Sequence, residues 1–300
     1  MAACAFLLLM LSGSFGVITN HVQAQTSVDR ALQTGNSFAD EINATSALRV
    51  ESLFTPAAYT ATFSDSVTVG SSGNPGTLTI EAGSGGSAVA VFDYSTLSLG
   101  DQHVTPLTLQ GPVGSPARIN LTDNSTANRA KLTFMMANAS SMPLYRTISG
   151  TSINATMNGH GVITVRGSTV RNILLFDLAI GSTSNRIGEL NIGDGPDGDG
   201  TDVDDIDLGH AYMYETVNAQ TINVRAGSAA DQHSTAIFHA TPDSSDVVTN
   251  SLNITASSAA FAHAQFTTEH FDITRIEHNT INLGTVTLDS NGNNRAFLSL

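Results

Sequence analysis

The 300-residue chain carries 12 basic and 26 acidic residues, for a formal net charge of −14, with 41% hydrophobic but only 6% aromatic residues, no Trp and one Cys. A duplex or an anionic membrane would repel such a chain, which excludes nucleic acid as a partner. The apolar content is mostly Ala, Val, Ile and Leu, interspersed with Gly, Ser, Thr and Asn. That is a composition of strands and turns, long enough for one large domain or a run of stacked repeats.

At the N-terminus, Ala5 to Met10 is a short apolar run, weakly extended through Val17 and Ile18. It is too short to span a membrane. Val22-Gln23-Ala24 places a small residue before Gln25. Together these predict a secretory signal peptide over 1–24, although no Lys or Arg precedes the apolar run. The only cysteine, Cys4, falls inside it, so the mature chain relies on packing and not on disulfides.

Residues 25–63 are expected to form an N-terminal cap or linker. Val28, Ala31, Leu32, Phe38, Ile42 and Leu48 recur at roughly helical spacing, interrupted by Gly35 and Asn36, which predicts one or two short helices or a cap over 26–53.

From about Ser64 the pattern changes to short apolar-polar-apolar triplets. They begin with Val67-Thr68-Val69, Leu78-Thr79-Ile80, Val89-Ala90-Val91, Leu97-Ser98-Leu99, Leu107-Thr108-Leu109 and Ile119-Asn120-Leu121. They continue with Leu132-Thr133-Phe134, Leu174-Leu175-Phe176, Leu190-Asn191-Ile192, Ile206-Asp207-Leu208, Ile222-Asn223-Val224 and Leu252-Asn253-Ile254. Phe271-Asp272-Ile273, Ile281-Asn282-Leu283 and Val286-Thr287-Leu288 complete the run. Period-two alternation puts both apolar residues of a triplet on one face and the polar residue on the other. The triplets are shorter than sandwich strands and persist to the end of the chain, and the outward residue is often Thr, Asn, Ser or Asp. A parallel β-solenoid over 64–300 explains all three features, with a β-sandwich pair as the alternative.

Gly188-Glu189-Leu190-Asn191-Ile192-Gly193, Thr221-Ile222-Asn223-Val224-Arg225-Ala226-Gly227 and Val67-Thr68-Val69-Gly70 with Gly76-Thr77-Leu78-Thr79-Ile80 resemble repeat units of bacterial autotransporter passenger domains. The resemblance covers about 64–290. It implies an all-β, right-handed parallel β-helix, exported and displayed at the outer membrane surface. Such passengers carry a C-terminal membrane barrel, whereas this pattern runs up to Phe297-Leu298-Ser299-Leu300, which implies an N-terminal fragment or another route of display.

Several motifs fail on context. Gly193-Asp194-Gly195-Pro196-Asp197-Gly198 spells a dinucleotide fingerprint, but Pro196 removes a backbone N–H, the aspartates repel phosphate and no helical pattern follows. The same stretch suits a hard cation better. Asp194, Asp197, Asp199 and Asp202 sit in one glycine-rich loop, with Asp204, Asp205 and Asp207 close behind, and a weak Ca²⁺ site is expected there against the alternative of a solvated acidic turn. Gly159-His160-Gly161, Asp204-Asp205 and Arg275-Ile276 are similar to fragments of polygalacturonase-like hydrolases, but the acidic pair follows the Gly-His-Gly instead of preceding it. His263, His270 and His278 match no metal spacing and are expected to be outward and solvated. The sequence therefore predicts a non-catalytic surface or adhesin-like solenoid without a cofactor beyond that cation. Its partners would be a cell surface, matrix or polysaccharide. The alternative is a polysaccharide-binding or polysaccharide-cleaving β-helix.

Overall fold

A computed structural model describes residues 30–32, 36–38, 41–52, 58–93, 107–112, 114, 117–136, 144–167, 172–193, 209–227, 233–239, 246–256, 260–267, 269–271, 274–276, 280–290 and 295–300. The chain is an all-β parallel solenoid. Strand pairings among the described residues are parallel throughout the stack, and 20 strands belong to one continuous sheet. One antiparallel pair, Glu269–Phe271 with Thr274–Ile276, lies outside that stack.

The strands form three faces that the chain visits in turn. A first-face strand such as Ala47–Glu51 is followed by a second-face strand, Tyr59–Phe63, and a third-face strand, Val67–Val69. The next coil repeats the order with Thr77–Glu81, Ala88–Asp93 and Leu107–Leu109. Later coils run through corners without leaving strand geometry: Leu144–Ala155 supplies third-face residues to one coil and first-face residues to the next, with a register shift between Ser149 and Ser152.

Each inward position is a column running through the coils. On the first face the column is Leu48, Leu78, Ile119, Ile153, Ile180, Val217, Val247 and Ile281. On the second it is Phe38, Phe63, Phe92, Phe134, Val165, Ile192, Val224, Ile254 and Leu288. The third-face column, Ile148, Phe176, Met213, Phe238 and Phe266, takes up the large rings where the second face gives them up. Phe63 and Phe92 stack at 5.0 Å and Phe92 and Phe134 at 5.8 Å, and Phe134 then meets Phe176 edge-on at 5.8 Å. Close-packed interiors leave no room for both faces to carry rings at one level, so the bulk moves from one face to the other.

The predicted inward residues Val67, Val69, Leu78, Ile80, Leu190, Ile192, Ile222 and Val224 are all buried. Ile206, Leu208, the Leu97 triplet and the segment 1–24 lie outside the described residues. In two places the structure differs from the sequence reading. The N-terminal segment, read as one or two short helices or a cap, has no helix among its described residues; its elements are the strands Arg30–Leu32, Asn36–Phe38, Ile42–Ala44 and Ala47–Glu51. Its apparent helical period arises because short coils send Phe38, Ile42 and Leu48 inward from three successive faces; the cap is itself built of coils. In Ala88–Asp93 the inward residues are Ala88, Ala90 and Phe92, in register with Tyr59, Ala61 and Phe63, so the triplet Val89-Ala90-Val91 is read one residue out of phase.

Glycine is required at some corners. Gly70 has φ +98°, and a Cβ there would lie 2.1 Å from the carbonyl oxygen of Gln110 in the next coil. Only glycine accepts both that backbone angle and that approach.

Candidate binding ridge

The C-terminal half of the third face consists of His210–Met213, Ser234–His239, Ala262–Thr267 and Ala296–Ser299, paired in parallel. Ala211, Ala236 and Ala264 point inward at 0% exposure. Alternation therefore turns the neighbouring positions outward. One outward column is His210, Thr235, His263 and Phe297, and the next is Tyr212, Ile237, Gln265 and Ser299. Tyr214 and His239 lie at one border of the face, His233 and Phe261 at the other.

These side chains stack from coil to coil. Tyr214 and His239 are parallel at 4.8 Å, with Tyr212 tilted against the same imidazole at 5.9 Å. His233 and Phe261 stack at 3.8 Å. Phe297 meets both Phe261 and His263 edge-on at 6.0 Å. Polar atoms are tied in as well: the Phe261 N–H donates to His233 Nδ1 at 3.0 Å, Thr267 Oγ1 lies 3.0 Å from His239 Nδ1, and His263 Nε2 lies 2.9 Å from Ser299 Oγ. The result is a partly exposed strip spanning four coils, in which rings and imidazoles of successive coils pack on one another and His210 Nε2 is buried.

Burial lowers the pKa of His210 from 6.5 to about 4, with a smaller contribution from the neighbouring His233. Burial also lowers that of His263. Both imidazoles are therefore neutral at pH 7, and this part of the strip presents polar but uncharged groups.

A second polar cluster sits at the corner between the first and second faces. The buried carboxylate of Asp123 accepts from the N–H groups of Ala130 at 2.7 Å and Gly161 at 3.0 Å, and Arg129 donates to its other oxygen. Arg129 also reaches Glu189 at 3.0 Å and the Gly161 carbonyl at 3.1 Å, joining three coils. Gly188 leaves room for it, since a Cβ there would lie 2.3 Å from Arg129 Nη2. His160 Nδ1 accepts from the Asp123 N–H at 3.1 Å. Gly159-His160-Gly161, which resembles a hydrolase fragment, is thus a corner turn with φ of +87° and +80° at its glycines, committed to holding coils together. On the outward side of the second face, Asn191, Asn223 and Asn253 form a ladder through amide bonds of 2.8 and 2.9 Å.

No protein-family model matches the chain, and neither curated proteins nor solved structures gave a match. Function must therefore be argued from the chain's own surfaces.

The predicted calcium ligands Asp194, Asp197, Asp199 and Asp202 lie outside the described residues, as do Asp204, Asp205 and Asp207. Among the described residues no three His, Cys, Asp or Glu side chains gather as a metal site. Of the histidines grouped in the sequence, His263 aligns across coils with Thr235 and His210, while His278 and the side chain of His270 lie outside the described residues. Tyr212, Tyr214, His233, His239 and Phe261 belong to no sequence motif. Their only trace in the sequence is aromatic or imidazole residues beside small inward ones, as in His210-Ala211-Tyr212 and Ala262-His263-Ala264.

Proposed function

We propose that the chain is an exported, non-catalytic solenoid of autotransporter-passenger type, working at a cell surface by adhesion. The observation that supports this reading is the ridge on the C-terminal third face. Aromatic side chains with polar tips are the residue types enriched where protein surfaces make contacts. Here they run along the solenoid axis, so a partner with its own repeat can make the same contact at each coil. The net charge of −14 directs the reading toward uncharged or basic partners such as matrix proteins and neutral polysaccharides.

The test places the purified chain on immobilised cells, matrix proteins and neutral glycans, beside a screen for polysaccharide turnover. Adhesion without turnover is expected. Turnover that disappears in Asp205→Asn or Asp207→Asn would replace this reading with that of a polysaccharide-cleaving β-helix.

A further inference from the structure

Asn-x-Ser/Thr, the acceptor signature for asparagine-linked sugar, occurs at Asn43, Asn120, Asn124, Asn138, Asn154 and Asn253. A chain rich in Asn, Ser and Thr carries such triplets by chance, and the fold sorts them. Asn138 lies outside the described residues. Asn43, Asn120, Asn154 and Asn253 stand within strands. Three of these amides are already engaged: Asn43 Nδ2 donates to Glu41 at 3.0 Å, Asn154 Nδ2 to Ser152 Oγ at 2.8 Å and Asn253 Nδ2 to Asn223 Oδ1 at 2.9 Å. Asn120 is hemmed in by register, with Thr79 on one neighbouring coil and Asn154 on the other.

Asn124-Ser125-Thr126 is placed differently. It turns the corner between Arg118–Thr122 on the first face and Ala130–Met136 on the second, and all three residues are exposed. The turn is fixed at its base by the buried Asp123 carboxylate, which accepts from the N–H groups of Ala130 and Gly161. Within the turn, the N–H groups of Asn124 and Ser125 donate to the Asn128 carbonyl at 3.1 and 3.3 Å, and the Asn128 N–H donates to Ser125 Oγ at 3.1 Å. Asn128 Nδ2 also donates to the Ser84 carbonyl of the preceding coil at 3.0 Å. Those bonds hold the backbone and leave the two acceptor groups over. Among the described residues, the carboxamide of Asn124 and the hydroxyl of Thr126 make no hydrogen bond.

We propose that Asn124 is a glycosylation site, taking its sugar from a phosphate-activated donor with Thr126 as the recognised hydroxyl. In the transfer, a bond forms between Asn124 Nδ2 and the anomeric carbon of the sugar. The anomeric carbon–oxygen bond to phosphate breaks, the phosphate leaves with the electron pair, and one amide proton passes to a base of the transferase. The corner between the first and second faces is the one that the third face does not border, so a sugar there leaves the aromatic ridge open.

Mass spectrometry of the chain recovered from its native cells tests this. Trypsin cuts after Arg118 and Arg129, and electron-transfer fragmentation of the peptide 119–129 separates Asn120 from Asn124. The expected result is sugar on Asn124, with Asn43, Asn120, Asn154 and Asn253 bare. A single sugar or a ladder of single additions identifies a nucleotide-activated donor, and one large fixed increment identifies a preassembled lipid-linked donor. Asn124→Gln and Thr126→Val should each lose the modification, whereas Thr126→Ser should keep it. Circular dichroism should show all three variants folded, since the substitutions lie at an exposed tip. A bare Asn124, sugar on the strand asparagines instead, or a Thr126→Val chain that is still modified would each overturn the proposal.

Discussion

The two halves of the third face share an inward design and differ outside. In the N-terminal coils its outward column is Asn43, Thr68 and Thr108, small and polar, between the buried Ile42, Val67 and Leu107 and the column of Ala44, Val69 and Leu109. In the C-terminal coils the outward positions carry Tyr212, His210 and His263, while the inward ones remain apolar. In the N-terminal coils the small Thr68 and Thr108 occupy such positions, whereas in the C-terminal coils the rings pack on one another from coil to coil. The proposed binding role assigns these outward rings of the C-terminal half to contacts with a partner, and the substitutions below test that assignment.

If both halves share one continuous core, cavities should be equally costly in each. Phe134→Ala and Phe238→Ala are each expected to cost about 3–5 kcal/mol in denaturant unfolding, because each ring is essentially inaccessible and stacked on a neighbouring coil. A loss below about 1 kcal/mol in either half would break the comparison. Asp123→Ala should cost about 3 kcal/mol, since it leaves Arg129, only 17% exposed, without its closest partner. The same measurement checks it, and a neutral effect would mean that the corner cluster is not needed to join its coils.

The C-terminal half is also expected to respond to acid through His210. The folded-state pKa of His210 lies near 4, below the ordinary 6.5. Between those values the unfolded chain binds a proton that the folded chain refuses, so stability falls as pH drops from about 6.5 to about 4, by up to about 1.4 kcal/mol per pH unit. His210→Asn should flatten that slope in thermal melts recorded across the window. An unchanged slope would assign the acid sensitivity to other groups.

Much of this fold was legible in the sequence because period-two alternation is a direct record of which side chains point inward. Leu190-Asn191-Ile192 and Ile222-Asn223-Val224 carry that record without ambiguity, and both are buried in register with each other. It blurs where coils are short. Phe38, Ile42 and Leu48 mimic a helix because corners, not helical turns, bring them inward, and Val89-Ala90-Val91 misleads because alanine is the inward residue between two larger ones. The ridge was not legible, since its members come from different coils and meet only through parallel register. Sequence proximity suggested nothing of the alignment of His263 with Thr235 and His210, which register alone creates.

Substitution of the ridge should affect stability least and binding most. The variant Tyr212→Ser/Tyr214→Ser/His239→Ser changes half-exposed outward or corner positions, for which a stability cost of about 1 kcal/mol or less is expected. The decisive measurement is adhesion of that variant to the surface bound by the unmodified chain, beside the N-terminal control Thr68→Ser/Thr108→Ser. A contact surface on the C-terminal half predicts that adhesion falls at least about tenfold in the ridge variant and is unchanged in the control. Equal adhesion by a folded ridge variant and the unmodified chain would contradict it.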